Sequence, residues 1–90
     1  MAEIYIKEID LSTFVVTVVG QLNTMHQVKV AISYALSLTA SKISTMQLVK
    51  NSFEFLLARE PNTSILREFD LSIISAYFPD YELEMRDKLP

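Results

Sequence analysis

The chain has 90 residues, half of them hydrophobic, with a net charge of −3 at pH 7 and no cysteine. A disordered chain would be more polar, so we expect one folded domain over residues 1–90, with the small core that this length allows. Lysine and arginine occur singly, without the basic stripe of nucleic-acid-binding proteins, and the lack of cysteine excludes disulfides, thiolate nucleophiles and the common structural zinc sites.

Residues 1–20 are predicted to form a β-hairpin. Residues 3–9 alternate between apolar and polar side chains, the period of a half-buried strand. Residues 14–19 are β-branched almost throughout, which favours a second strand. Between them, residues 10–13 are mostly polar and predict a loop, because aspartate and serine side chains can hydrogen-bond to the nearby backbone.

Residues 21–78 are predicted to be helical, with about three α-helices. A cap at Asn23 or Thr24 begins the first helix, in which apolar residues recur at helical spacing on two faces. The second helix must end before Pro61, because the residue preceding a proline avoids the α conformation. The apolar stripe of this second helix consists of Ile43, Met46, Val49, Phe53, Leu56 and Leu57.

A third helix is predicted to begin at a cap within residues 62–64 and to end before Pro79. A strand over residues 71–78 is the alternative, because isoleucine and the aromatic residues suit either state. Residues 79–90 are acidic and form either a tail or a short last helix. One face of the third helix carries Ile65, Leu66, Phe69, Ile73 and Tyr77. The hairpin and the helices together predict an α+β fold, and a mainly α-helical bundle is the alternative.

Neither the membrane nor an export route is indicated by the sequence. The most apolar stretch, residues 11–22, is shorter than the roughly 20 residues that a membrane-spanning helix needs. The N-terminal segment carries an acid where a signal peptide carries basic residues. We therefore expect a cytoplasmic protein that binds neither membrane nor nucleic acid.

The sequence also lacks a recognisable catalytic or cofactor-binding set. His26 is the only histidine, and no acidic residue lies between Asp10 and Glu54 to orient it as a general base. We predict that His26 faces solvent or caps the first helix. A single glycine excludes a glycine-rich phosphate loop, and no serine lies in a nucleophile-elbow pattern. We expect no enzymatic activity, no metal and no cofactor.

The sparsely charged middle of the chain predicts self-association. Acidic residues are absent between Leu11 and Phe53, and this composition suits burial against protein better than solvation. Two isolated strands are marginal in water, and the second strand exposes a long apolar edge. A homodimer that joins two hairpins buries that edge. The predicted self-association residues are Phe14, Val16 and Val18.

Residues 77–85 alternate aromatic and acidic side chains around a proline. This composition can dock on a basic, grooved protein partner. The predicted partner-binding residues are Tyr77, Phe78, Tyr81, Glu82 and Met85. The competing interpretation is structural, with Tyr77 and Phe78 completing the core and Tyr81 and Met85 folding over it.

These features predict a small non-catalytic protein–protein interaction module with an unidentified protein partner. A homodimeric adaptor, an assembly factor or a regulator fits this description, acting through apolar and acidic-aromatic surfaces. The alternative is a small transcription-type regulator that contacts DNA through its helical region. The negative net charge and the scattered basic residues disfavour that alternative.

Overall fold

The computed structural model describes residues 2–90 as a four-stranded sheet with four helices. The strands are β1 (Glu3–Asp10), β2 (Thr13–Val19), β3 (Thr24–Lys29) and β4 (Glu68–Asp70). The helices are α1 (Ile32–Thr39), α2 (Thr45–Leu57), α3 (Ile74–Tyr77) and α4 (Tyr81–Asp87). The predicted α+β class is confirmed, and the alternative of a mainly helical bundle is wrong. The structure has four helices where about three were predicted, and four strands where two were predicted.

The first two strands form the predicted hairpin. They pair antiparallel, with Glu3 opposite Val19 and Glu8 opposite Phe14, and the register shifts between Glu8 and Asp10. In the turn, the Asp10 carboxylate accepts a hydrogen bond from the backbone N–H of Ser12 at 2.9 Å. This bond stabilises the charged carboxylate and lowers the pKa of Asp10.

The predicted first helix is wrong over residues 24–29, which form strand β3. His26 and Val28 point into the core, while Met25 and Gln27 are exposed, so the side chains alternate with the period of a strand. β3 pairs antiparallel with β2 on one side and parallel with β4 on the other. These two neighbours satisfy backbone groups that a helix would have paired within itself. Helix α1 begins only at Ile32.

Helix α2 confirms the predicted second helix. Ser44 is its N-cap, and the Ser44 side chain accepts a hydrogen bond from the backbone N–H of Gln47 at 3.0 Å. The helix ends at Leu57, before Pro61, as the proline requires. With 13 residues α2 is the longest helix, and no helix within residues 2–90 combines the length and apolarity of a membrane-spanning segment.

The predicted third helix is wrong over most of residues 62–78. A 3₁₀ turn at Asn62–Ser64 leads to β4, where Phe69 lies opposite Val28. A second 3₁₀ turn at Leu71–Ile73 follows, and only the four residues of α3 are α-helical, so the alternative strand over residues 71–78 is wrong as well. Within residues 79–90, the structure contains the predicted short helix, α4, and not the alternative of a tail.

The helices cover one face of the sheet. Phe53 of α2 packs on this face against His26 and Phe69, with ring centroids 5.4 and 6.1 Å apart. The opposite face carries the exposed side chains of Tyr5 and Met25. The inward side chains of the central strands are buried and include Phe14, Val16, Val18 and Val28.

Candidate protein-contact groove

An open apolar groove lies between the C-terminal end of α2 and α3, with a volume of about 320 Å³. We call it the α2–α3 groove. Of the residues that line it, Glu60 alone is charged. The floor consists of the buried side chains of Leu56, Ile65, Phe69 and Ile74. The rim consists of the exposed side chains of Leu66, Ile73 and Tyr77, with half-buried Phe78 beside them.

His26 holds the Leu66 segment of the groove against the sheet. The ring Nδ1 of His26 lies 2.7 Å from the carbonyl oxygen of Leu66, and because a carbonyl only accepts, Nδ1 carries the proton and donates. The ring Nε2 lies 2.8 Å from the Thr24 hydroxyl oxygen. That oxygen accepts a hydrogen bond from the Asn62 amide at 2.9 Å. His26 is buried on the inward face of β3. The predicted solvent-facing or capping role is therefore wrong, because residues 24–29 form a strand.

We expect His26→Ala to lower the free energy of unfolding by about 2–4 kcal/mol. The substitution creates a cavity beside Phe53 and leaves the carbonyl of Leu66 without its donor. Gln27→Ala, at the exposed neighbouring position, is the matched control and should change this free energy by less than about 0.5 kcal/mol. Urea unfolding followed by circular dichroism measures both variants. Equal stabilities would show that His26 does not support this segment.

The opposite wall of the groove is held by an aromatic and ionic cluster. Phe78 meets the ring of Phe55 edge-on, with centroids 5.7 Å apart. The guanidinium of Arg59 lies over the Phe55 ring, 3.5 Å from its centroid. The same guanidinium pairs with Glu84 at 2.9 Å and with Asp80 at 3.4 Å. Helices α2 and α4 are thereby joined next to Phe78.

The predicted partner-binding residues divide between the groove and the core. Tyr77 and Phe78 line the groove. Tyr81 and Met85 are buried, because α4 turns their side chains onto α2. For these two residues the structure favours the competing interpretation, in which they fold over the core, and they are inaccessible to a partner in this fold.

Glu82, the fifth predicted partner-binding residue, makes a contact within the chain. It is half-buried, and its carboxylate accepts a hydrogen bond from the Tyr34 hydroxyl at 2.8 Å. Burial, together with this bond, raises the pKa of Tyr34 above its ordinary value. Glu82 therefore links α4 to α1.

The predicted self-association residues lie inside the molecule. Phe14, Val16 and Val18 point from β2 into the core and are buried. β2 is an inner strand, because β1 pairs with one of its edges and β3 with the other. The edge of β2 that was predicted to pair with a second copy is therefore paired within the chain. The three side chains cannot contact a second copy unless the core opens.

The sequence analysis did not predict three of the groove residues as contacts, namely Leu66, Ile73 and Glu60. For the two apolar ones, the sequence does contain a signal, because each belongs to a pair of adjacent apolar residues. In each pair one side chain is buried, Ile65 or Ile74, and its neighbour, Leu66 or Ile73, is exposed. Ile65 has an extended backbone, in which successive side chains point to opposite sides, so Leu66 remains at the surface when Ile65 is buried. Ile73 precedes the first residue of α3, and there only Ile74 is turned onto the core.

The chemistry of the groove is that of binding apolar groups. The polar side chains of its lining residues are those of Glu60, Ser64 and Tyr77. Within residues 2–90, no three histidine, aspartate or glutamate side chains are grouped as a metal site. No protein-family model matches the chain, and no curated protein or solved structure is significantly similar to it.

Proposed function

We propose that this protein is a non-catalytic protein–protein interaction module that binds an apolar segment of a partner in the α2–α3 groove. The observation that carries the proposal is the accessible apolar floor of the groove, bordered by Leu66 and Tyr77, which are 49% and 65% exposed. Exposed apolar surface of this kind is typical of contact sites. Aromatic and aliphatic side chains at such sites supply large buried area.

The partner segment should combine apolar side chains with a basic residue. The half-buried Glu60 is the one charged residue in the groove lining, and a lysine or arginine of the partner segment can pair with it. The net charge of −3 adds a weak attraction for a basic partner. This complementarity supports a basic amphipathic segment over an acidic one.

The proposed module acts as a homodimeric adaptor, assembly factor or regulator in the cytoplasm. Its lack of cysteine fits a reducing compartment. The exposed face of the sheet, with Tyr5 and Met25, and the free outer edge of β1 support contact with a second copy. Partner binding and self-association then use opposite parts of the molecule.

Two leucine substitutions, one in the groove and one outside it, test the proposed binding site. A photo-crosslinking residue at position 77 identifies the partner, and calorimetry then measures its affinity for the wild type, Leu66→Asp and Leu83→Asp. Leu83 is the matched control, because it is 63% exposed on α4 and lies outside the groove. We expect Leu66→Asp to weaken binding about 30-fold, the effect of losing a contact worth about 2 kcal/mol. Leu83→Asp should leave the affinity unchanged.

Two results would contradict the proposal. Equal affinities of Leu66→Asp and the wild type would place the contact elsewhere on the surface. Turnover of a substrate by the isolated chain, lost in a groove variant that still folds, would show that the groove serves a reaction.

A further inference from the structure

Strand β1 is the outer strand of the sheet and has one free edge. β1 pairs only with β2, and within residues 2–90 no other backbone hydrogen bond reaches it. Its eight residues contrast with the three of β4 at the other edge. Regular pairing runs from Glu3 to Glu8, where the register shift begins. A long free edge is a template for pairing with another strand.

The sequence of β1 is complementary to itself about Tyr5. When two copies pair antiparallel with their Tyr5 residues opposite each other, Glu3 of each copy lies opposite Lys7 of the other. The same register places Ile4 opposite Ile6. Opposed residues in an antiparallel pair lie on one face of the sheet. Opposite charges therefore meet on the exposed face, and isoleucines meet on the helix-covered face.

Neighbouring registers lack this match. The two-fold axis stands perpendicular to the sheet and can lie beside any residue of β1. Each choice of central residue gives a different register of the two strands. With Ile6 on the axis, Ile4 opposes the carboxylate of Glu8. With Ile4 on the axis, Lys7 has no opposing carboxylate. Only the Tyr5-centred register pairs both lysines with acids.

We propose that two copies of this protein pair through β1, antiparallel and with Tyr5 on the two-fold axis, to form one sheet of eight strands. The inference rests on the homodimer of the proposed function and gives that dimer its interface. The Tyr5 hydroxyl donates a hydrogen bond to the Glu3 carboxylate on the exposed face of β1. The half-buried Ile4 and Ile6 become covered, and the helices of both copies lie on one side of the joint sheet.

Single cysteines test the register in a chain that has none of its own. Tyr5→Cys places two thiols at the axis, where the Cα atoms of opposed residues are about 4.5–5.5 Å apart, within the range of a disulfide. We expect mild oxidation to convert most of this variant into a covalent dimer. Ile9→Cys, which leaves Glu3 and Lys7 intact and whose two copies are roughly 27 Å apart along the strand, should remain unlinked.

A third cysteine variant distinguishes edge pairing from face-to-face packing. Thr17 lies opposite Tyr5 on β2, and in the edge-paired dimer its two copies are roughly 14 Å apart, three strand spacings. Thr17→Cys should therefore remain unlinked. Linkage of Thr17→Cys without linkage of Tyr5→Cys would show that the exposed faces pack on each other and would overturn the proposal.

Charge reversal tests the same interface without a cross-link. Light scattering should give the wild type twice the 10.3 kDa mass of the chain. Lys7→Glu and Glu3→Lys should each halve the observed mass, and the double variant should restore it, because the pairs are then reversed but intact. Lys29→Glu, on the inner strand β3, is the control and should remain dimeric. A wild type that remains monomeric at millimolar concentration would overturn the inference.

The two proposals fail in different ways. A monomeric chain that still loses its partner through Leu66→Asp would overturn the β1 interface and retain the groove. A dimer whose Leu66→Asp variant binds normally would overturn the groove and retain the interface.

Discussion

Val16→Lys is expected to lower the free energy of unfolding by more than about 4 kcal/mol. Val16 is completely buried in the middle of β2, opposite Ile6 on one side and His26 on the other. No carboxylate of an opposed residue can pair with a lysine there. An ammonium in this position must lose its hydration or its proton, and either cost is large. Small domains are stable by only about 5–15 kcal/mol.

Thr17→Lys is the matched control, since Thr17 is the next residue and faces away from the core. Thr17 lies opposite Tyr5 and Met25, both exposed, so a lysine there keeps its hydration. We expect a change below about 1 kcal/mol. Urea unfolding followed by far-ultraviolet circular dichroism compares the two. Similar unfolding midpoints would mean that the two faces of β2 are assigned the wrong way round.

Tyr81→Ala is expected to lower the free energy of unfolding by about 3–5 kcal/mol. The Tyr81 ring is fully buried and meets Phe55 edge-on, with centroids 5.3 Å apart. Its hydroxyl lies 2.6 Å from the Ser52 oxygen. Because Ser52 donates its own hydrogen to the Leu48 carbonyl, Tyr81 is the donor in this bond. Burial raises the pKa of Tyr81 above its ordinary value.

Two tyrosine variants separate the effects of the Tyr81 ring and its hydroxyl from a surface effect. Tyr81→Phe keeps the ring and should cost about 1 kcal/mol, the value of one hydrogen bond. Tyr77→Ala removes an exposed tyrosine from the groove and should change stability by less than about 0.5 kcal/mol. Thermal and urea unfolding measure the stability of all three variants, Tyr81→Ala, Tyr81→Phe and Tyr77→Ala. A Tyr81→Ala protein as stable as Tyr77→Ala would contradict the burial of α4 on α2.

Local sequence signals were sufficient for the hairpin and for α2. The β-branched residues 14–19 have side chains that favour an extended backbone whatever lies next to them. The stripe of α2 repeats within the helix itself, and Pro61 stops it through its immediate neighbour. Each of these signals acts within a few residues of the element it predicts.

Residues 24–29 and 62–73 depend instead on a distant partner. Val28 and Phe69 are far apart in the sequence, yet they lie opposite each other in the parallel pair of β3 and β4. Without that pairing, the apolar spacing of both segments fits a helix as well as a strand. The predicted stripe of Ile65, Leu66, Phe69, Ile73 and Tyr77 did collect residues that line the groove, although no helix connects them.

By itself, the sequence determined the α+β class, the first two strands, α2 and the recurring apolar positions within residues 65–78. Only the tertiary structure decided which of those apolar side chains are exposed. Tyr77 and Tyr81 are both tyrosines in one acidic-aromatic segment, but packing leaves one exposed in the groove and buries the other against Phe55. The exposure of a side chain depends on the segments that pack beside it. Because those segments are distant in the sequence, a local pattern does not reveal which side chains they cover.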